Sequence, residues 1–109
     1  MLQNEKTDQP DVQRMVENIV GCKWSLAVID LLRNGINRPG EMVRSFDGLS
    51  TKVLNERLRK LVRFGIASKE SFPEIPPRVE YELTSFGKKF VELLDMVARL
   101  EEERKKVEG

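Results

Sequence analysis

Thr51, Lys52, Asn55 and Arg59 stand at separations that return to one side of an α-helix. Their side chains carry donors suited to reading base edges in the major groove. Lys and Arg can donate to the O6 and N7 of guanine, and Asn can pair bidentately with adenine. Ser50, just before them, and the free N–H groups of a first helical turn can hold a phosphate. Other chemistry is poorly supplied. The chain has no histidine, which removes the usual general base, the commonest zinc ligand and every Ser/His or Cys/His pairing. Its one cysteine, Cys22, cannot form an internal disulfide, so a reducing cytoplasm is the expected compartment. No EF-hand, Walker or GxGxxG spacing occurs. The residues argue against an enzyme, and no metal or cofactor is expected.

Charge distribution points the same way. The formal net charge of the 109 residues is only +1, but residues 50–63 hold Lys52, Arg57, Arg59, Lys60 and Arg63 against a single acid, Glu56. A local basic segment is the footprint of a nucleic-acid binder. Charged residues at 34% and apolar ones at 39% fit a soluble, helix-rich single domain. No apolar run approaches the roughly 18 residues that span a bilayer. The opening MLQNEKTDQP is polar and lacks the apolar stretch of a secretory signal, so neither membrane nor export is expected.

The elements that position these residues follow from periodicity and turn chemistry. Residues 1–9 read as a flexible polar arm, and residues 10–105 as the folded domain. A first helix starts at Pro10-Asp11 and ends near Gly21. Residues 23–34 form a helix apolar nearly all round, hence central, closed by Asn34-Gly35. Residues 36–38 read as a very short strand. Pro39 opens a short helix over 39–46, with Met42, Val43 and Phe46 inward. Asp47-Gly48-Leu49 is a turn, and Ser50 caps a long helix of about 50–64. On that helix Leu54, Leu58, Leu61 and Val62 form the core stripe, with Lys52, Asn55, Glu56, Arg59 and Arg63 opposite.

Two strands, 66–72 and 78–83, flank a stiff Pro73-Glu74-Ile75-Pro76-Pro77 tip. Thr84 then caps a last helix, 84–105. A helix, a tight turn, a basic helix and a hairpin make the layout of a winged helix-turn-helix, an α+β fold that is mostly α. The recognition helix is 50–64 and the wing 66–83. Thr51, Lys52, Asn55 and Arg59 are the expected base readers; Ser50, Arg63, Lys69 and Arg78 are the expected backbone and wing contacts. Two blander readings compete. The face of 50–64 could be merely solvated, with Glu56–Lys60 and Glu56–Arg59 surface pairs, and Arg78 could simply solubilise an edge strand.

The strings GCKWSLAVIDLL, NRPGEMVRSFDGLSTKVLNERLRKLVRFGI and PPRVEYELTSFGKKF resemble the HxlR-type family of bacterial and archaeal winged-helix regulators. The similarity covers about residues 12–95. Its most specific parts are Lys23-Trp24, the helix from residue 50, and Pro76-Pro77-Arg78-Val79-x-Tyr81-x-Leu83-Thr84. The resemblance implies a transcription regulator that binds double-stranded DNA at a roughly palindromic operator as a homodimer, with first and last helices at the interface. Some members sense thiols or electrophiles through a cysteine upstream of the Lys-Trp pair. Here the only cysteine directly precedes Lys23, and none lies in residues 1–21, so Cys22 reads as a small, half-buried apolar residue.

Residue patterns also argue for the dimer. Phe86, Phe90, Leu93, Val97 and Leu100 repeat at four and three residues, a heptad-like seam, with Leu94 beside it. A single small core can hardly cover so wide a stripe. The apolar face of Val12, Met15, Val16 and Ile19 offers a cover in a second copy. The alternative function is a winged-helix protein–protein module without sequence-specific DNA binding, which would call for an acidic or apolar outer face on the helix 50–64. No polar constellation marks a small-molecule effector site.

Overall fold

A computed structural model describes residues 11–108, with side chains described through residue 106. The expected arm of residues 1–9, and Pro10, lie outside the described residues. Five helices and two strands follow in the order α1 (Val12–Val20), α2 (Lys23–Arg33), α3 (Pro39–Ser45), α4 (Thr51–Arg63), β1 (Ala67–Phe72), β2 (Arg78–Leu83) and α5 (Ser85–Glu108) among the described residues. The chain is mostly helical with a two-stranded antiparallel wing, the winged helix-turn-helix arrangement.

Local chemistry sets the boundaries. Asp11 caps α1, its carboxylate accepting from the Arg14 N–H at 2.9 Å. At the end of α2 the Ile36 N–H donates to the Leu31 carbonyl and the Gly35 N–H to that of Leu32, with Gly35 at φ 81°. This is the left-handed closure that favours glycine. It also corrects the short strand expected at 36–38. The Ile36 N–H is taken by the helix end and Pro39 starts the next helix, so only one ladder-like bond remains, from the Tyr81 N–H to the Asn37 carbonyl at 2.9 Å.

Leu54, Leu58 and Leu61 of α4 are fully buried among Ile19, Val28, Met42 and Ile66, which places α4 across the core from α2. Val62, expected in the same stripe, is exposed; Phe64 at the C-cap takes the core position and Val53 packs partly against it. Leu26 likewise turns outward, so α2 has a wet side that its composition hides.

The hairpin pairs Ala67 with Leu83 and Phe72 with Arg78 at its two ends. Tyr81 is buried, and Val79 and Leu83 pack partly on the core from the same face of β2. Thr84 then joins hairpin to α5. Its Oγ1 accepts from the Gly87 N–H at 2.9 Å and donates to the Gly65 carbonyl. Gly87 lies so close to Ile66 that a Cβ there would fall 2.0 Å from the Ile66 carbonyl oxygen. The first turn of α5 is therefore fixed to the head of the domain by backbone contact. Arg33 adds a second tie, a two-pronged ion pair to Asp95 at 3.0 and 3.1 Å. No helix of the described residues is long and apolar enough to cross a membrane.

Candidate nucleic-acid interface

The turn between α3 and α4 determines which side of α4 faces out. Leu49 is buried within it, Gly48 takes φ 91°, and the Ser50 hydroxyl accepts from the Val53 N–H at 3.1 Å. Trp24 and Phe46 meet edge to face, ring centroids 5.9 Å apart, and pack against the core near this corner. With Leu54, Leu58 and Leu61 inward, Thr51, Lys52, Asn55, Glu56, Arg59 and Arg63 are all exposed. Among the described residues, the side chains of Thr51, Lys52, Asn55, Glu56 and Arg63 take part in no hydrogen bond or ion pair. Arg59 stands on the flank nearest the hairpin. Burial pushes the Tyr81 phenol up, and the Arg59 charge partly offsets that.

Two cations of the basic segment do not join this face. Lys60 donates to Asn18 Oδ1 of α1 at 3.2 Å. Arg57 is half-buried, its Nε enclosed without a hydrogen-bond partner among the described residues, and its charge acts on Cys22 at the N-cap of α2. Burial of the Cys22 thiol works to raise its pKa. The Ser25 hydroxyl and N–H, the Arg57 charge and the Trp24 N–H outweigh this and leave the pKa below that of an ordinary cysteine. Ser25 itself is fully buried, and apart from its action on the Cys22 sulfur its hydroxyl has no hydrogen-bond partner among the described residues.

The wing is organised differently. Lys69 is exposed and unpaired among the described residues. Arg78 is not. Its guanidinium lies 3.8 Å over the Phe72 ring, donates to Glu74 at 2.8 and 3.2 Å, and donates to Glu80. Hydrogen bonding to Glu74, opposed by desolvation and reinforced by Glu80, raises its pKa further. Arg38 reaches Glu80 at 3.3 Å from the start of α3. The tip carries Ile75, fully exposed.

Two cations that sequence reasoning passed over line the groove between α3 and the wing tip. They are Arg38 and Arg44, the latter folded over Gly40 and without an ion pair among the described residues. Their signal was available: two arginines bracketing the short helix before the basic one.

The residues expected at a dimer seam separate into two sets. Met15, Ile19 and Phe90 are buried in the chain's own core and present almost no surface to a partner. Val12, Leu93 and Leu100 are exposed, and Val16, Leu94 and Val97 half-buried. Phe86 and Met96 are exposed on the same helix.

A profile of the HxlR-like helix-turn-helix family matches residues 19–108. The chain belongs to that family. An HTH-type transcriptional regulator of Synechocystis sp. is 39% identical over 89 residues, covering 82% of this chain and 65% of the relative. One from Methanothermobacter thermautotrophicus is 38% identical over 78 residues, covering 72% and 60%. The chain thus spans under two thirds of the length of these curated relatives. Among solved structures, one described as a transcriptional regulator of the MarR family from Enterococcus faecalis V583 superposes with a TM-score of 0.75 at 32% identity, over 95% of this chain and 97% of the other. In this HxlR-like chain α3 and α4 form the helix-turn-helix and β1–β2 the wing.

Proposed function

We propose that this HxlR-like chain is a cytoplasmic regulator that binds double-stranded DNA sequence-specifically, as a homodimer on a roughly palindromic operator. The observation that carries the reading is the outward face of α4, where Thr51, Lys52, Asn55 and Arg59 are exposed, with the side-chain donors of Thr51, Lys52 and Asn55 free of partners among the described residues. Donors so presented at the start of a helix that follows a tight turn suit entry into the major groove. Ser50 and Arg63 serve the flanking phosphates, Arg44 joins them from α3, and Lys69 is the free cation of the wing.

The dimer half of the proposal rests on α5. Leu93, Met96 and Leu100 stay exposed on a helix that runs well past the domain it is anchored to. Each is already about half covered within the chain, so burial against a second copy gives about half of the roughly 1.5–3 kcal/mol that a fully exposed large side chain would gain. Two recognition helices one DNA turn apart, or a multiple of it, also supply the affinity that a few phosphate contacts alone do not.

The test is selection of bound sequences from random double-stranded DNA with the purified protein. An enriched motif with two half-sites supports the reading, and Arg59→Ala should then weaken binding by roughly 1–3 kcal/mol. Leu93→Glu with Leu100→Glu should convert the dimer to monomer by sedimentation. Failure to enrich any motif would favour the protein–protein module, for which the acidic wing and its exposed Ile75 speak.

A further inference from the structure

Glu56 is the only carboxylate of α4, and it is exposed on the side opposite Leu54, Leu58 and Leu61. Lys52 stands one helical turn before it, and Arg59 and Lys60 one turn after. Opposite charges at such spacings attract only weakly on an exposed helix face, by about 0.2–0.5 kcal/mol. Glu56 pairs with none of them, and among the described residues its carboxylate accepts no hydrogen bond. Lys60 turns away to Asn18. Asp95, which takes both prongs of Arg33, and Glu74 and Glu80, which enclose Arg78, are paired. Glu56 differs from the other bare carboxylates, such as Glu41 and Glu92, in standing on the outward face of α4 among Lys52, Asn55 and Arg59.

A bare carboxylate on a face presented to DNA is repelled by every phosphate it approaches. It becomes favourable only where it meets a donor. The donors on base edges in the major groove are the N4 amino group of cytosine and the N6 amino group of adenine. Adenine sets its N7 acceptor beside N6, against a second carboxylate oxygen. Cytosine offers its amino group without such a neighbour on its own edge. The guanine across the pair presents O6 and N7, which suit the cations flanking Glu56.

We propose that Glu56 is a specificity-determining residue of the reading face, its carboxylate accepting a hydrogen bond from the N4 of one cytosine in each half-site. This rests on the DNA-reading function proposed above. It assigns the one acid of the basic helix a positive role in base choice.

The test is the same selection from random double-stranded DNA, run in parallel with the wild type, Glu56→Ala and Glu56→Gln, followed by titration of the selected site and of that site with one C·G pair changed to T·A. Glu56 touches nothing in the core, so both variants should keep the wild-type melting midpoint. The wild type should enrich one C·G pair per half-site and favour it over T·A by about tenfold or more. Glu56→Ala should bring that ratio close to one while preferences at other positions persist. Glu56→Gln should shift the same position toward adenine, because an amide both donates and accepts and so matches N6 and N7. Cytosine preference retained in Glu56→Ala would overturn the proposal. So would uniformly tighter binding to all sequences with an unchanged motif, which would make Glu56 a repulsive charge and nothing more. Loss of the functional reading looks different: the wild type itself would enrich no motif, and both proposals would fall.

Discussion

Helix α4 and the wing are the two elements that the proposed function sets against DNA, and they carry opposite charge. Over Thr51–Arg63 five cations face one carboxylate, whereas residues 67–83 hold Lys69 and Arg78 against Glu70, Glu74, Glu80 and Glu82. Availability differs as well. Lys52, Arg63 and Asn55 are unpaired within the described chain, while Arg78 is stacked on Phe72 and held by two glutamates. The contrast teaches that shape and electrostatics are divided between the two. α4 supplies attraction and donors. The wing, with three prolines in its turn, supplies a projection in which Arg78, its larger cation, is engaged by Glu74 and Glu80 while Lys69, Glu70 and Glu82 stay unpaired among the described residues.

The largest effect should come from removing donors on α4. Lys52→Ala combined with Arg59→Ala is expected to lower affinity for the selected operator about a hundredfold. The plot of log affinity against log salt should become shallower by about two charges. Titration at several salt concentrations measures both. A loss of the same size on neutralising Lys69 alone would break the comparison, by showing that the wing carries an equal share.

Arg78 is the next place to press. With Arg78→Ala, Glu74 loses its cation, Glu80 keeps only Arg38, and Phe72 loses its cover. Amide hydrogen exchange across the hairpin should quicken, and DNA affinity should fall by less than in the α4 double variant. If affinity fell as far while exchange in the hairpin stayed unchanged, Arg78 would be a phosphate contact, and its intramolecular partners would be a resting arrangement.

Much of this division can be read in the amino-acid string. Helix α4 declares itself through Ser50 as cap, the four- and three-residue spacing of Leu54, Leu58 and Leu61, and the turn glycine before it. The hairpin declares itself through alternation in Val79, Tyr81 and Leu83 and through prolines that cannot extend a ladder. What the string hides is tertiary. Arg57 and Lys60 carry the same formal charge as Arg59, and only the packing of α1 and α2 against α4 turns them aside. Glu80, two residues on along β2, shares a strand face with Arg78 and is legible from spacing, whereas Glu74 reaches Arg78 only through the bend of the tip, which spacing along the chain does not show. Met15, Ile19 and Phe90 repeat with the right period for a seam, yet the same period serves an internal core, and here the core takes them.

A smaller effect is expected at Lys69. As a solitary exposed cation on an acidic hairpin it meets phosphate, if at all, in open solvent. Lys69→Ala should change operator affinity by about twofold or less at physiological salt. A larger change, confined to one flanking base pair in the selected motif, would instead mark minor-groove insertion by the wing.

The smallest expected effect sharpens the boundary of the reading face. Arg57 belongs to α4 by sequence but to the Cys22 environment by position: its Nε is enclosed, and its charge helps hold the Cys22 pKa below that of an ordinary thiol, against the opposing effect of burial. Alkylation of Cys22 by iodoacetamide, followed by mass against pH, should therefore reach half its limiting rate below the pH found for a free cysteine peptide. Arg57→Gln removes one of the groups favouring the thiolate, so the midpoint should move upward. Ser25→Ala should move it the same way, because the buried hydroxyl is the largest of the interactions that favour the ionised sulfur. Operator affinity of Arg57→Gln should stay close to wild type once its melting midpoint is matched by the choice of temperature. If Arg57→Gln left the alkylation profile in place and weakened DNA binding as strongly as Arg59→Ala, Arg57 would have to be counted among the reading cations, and the inner flank of α4 would be open to DNA rather than packed against α2.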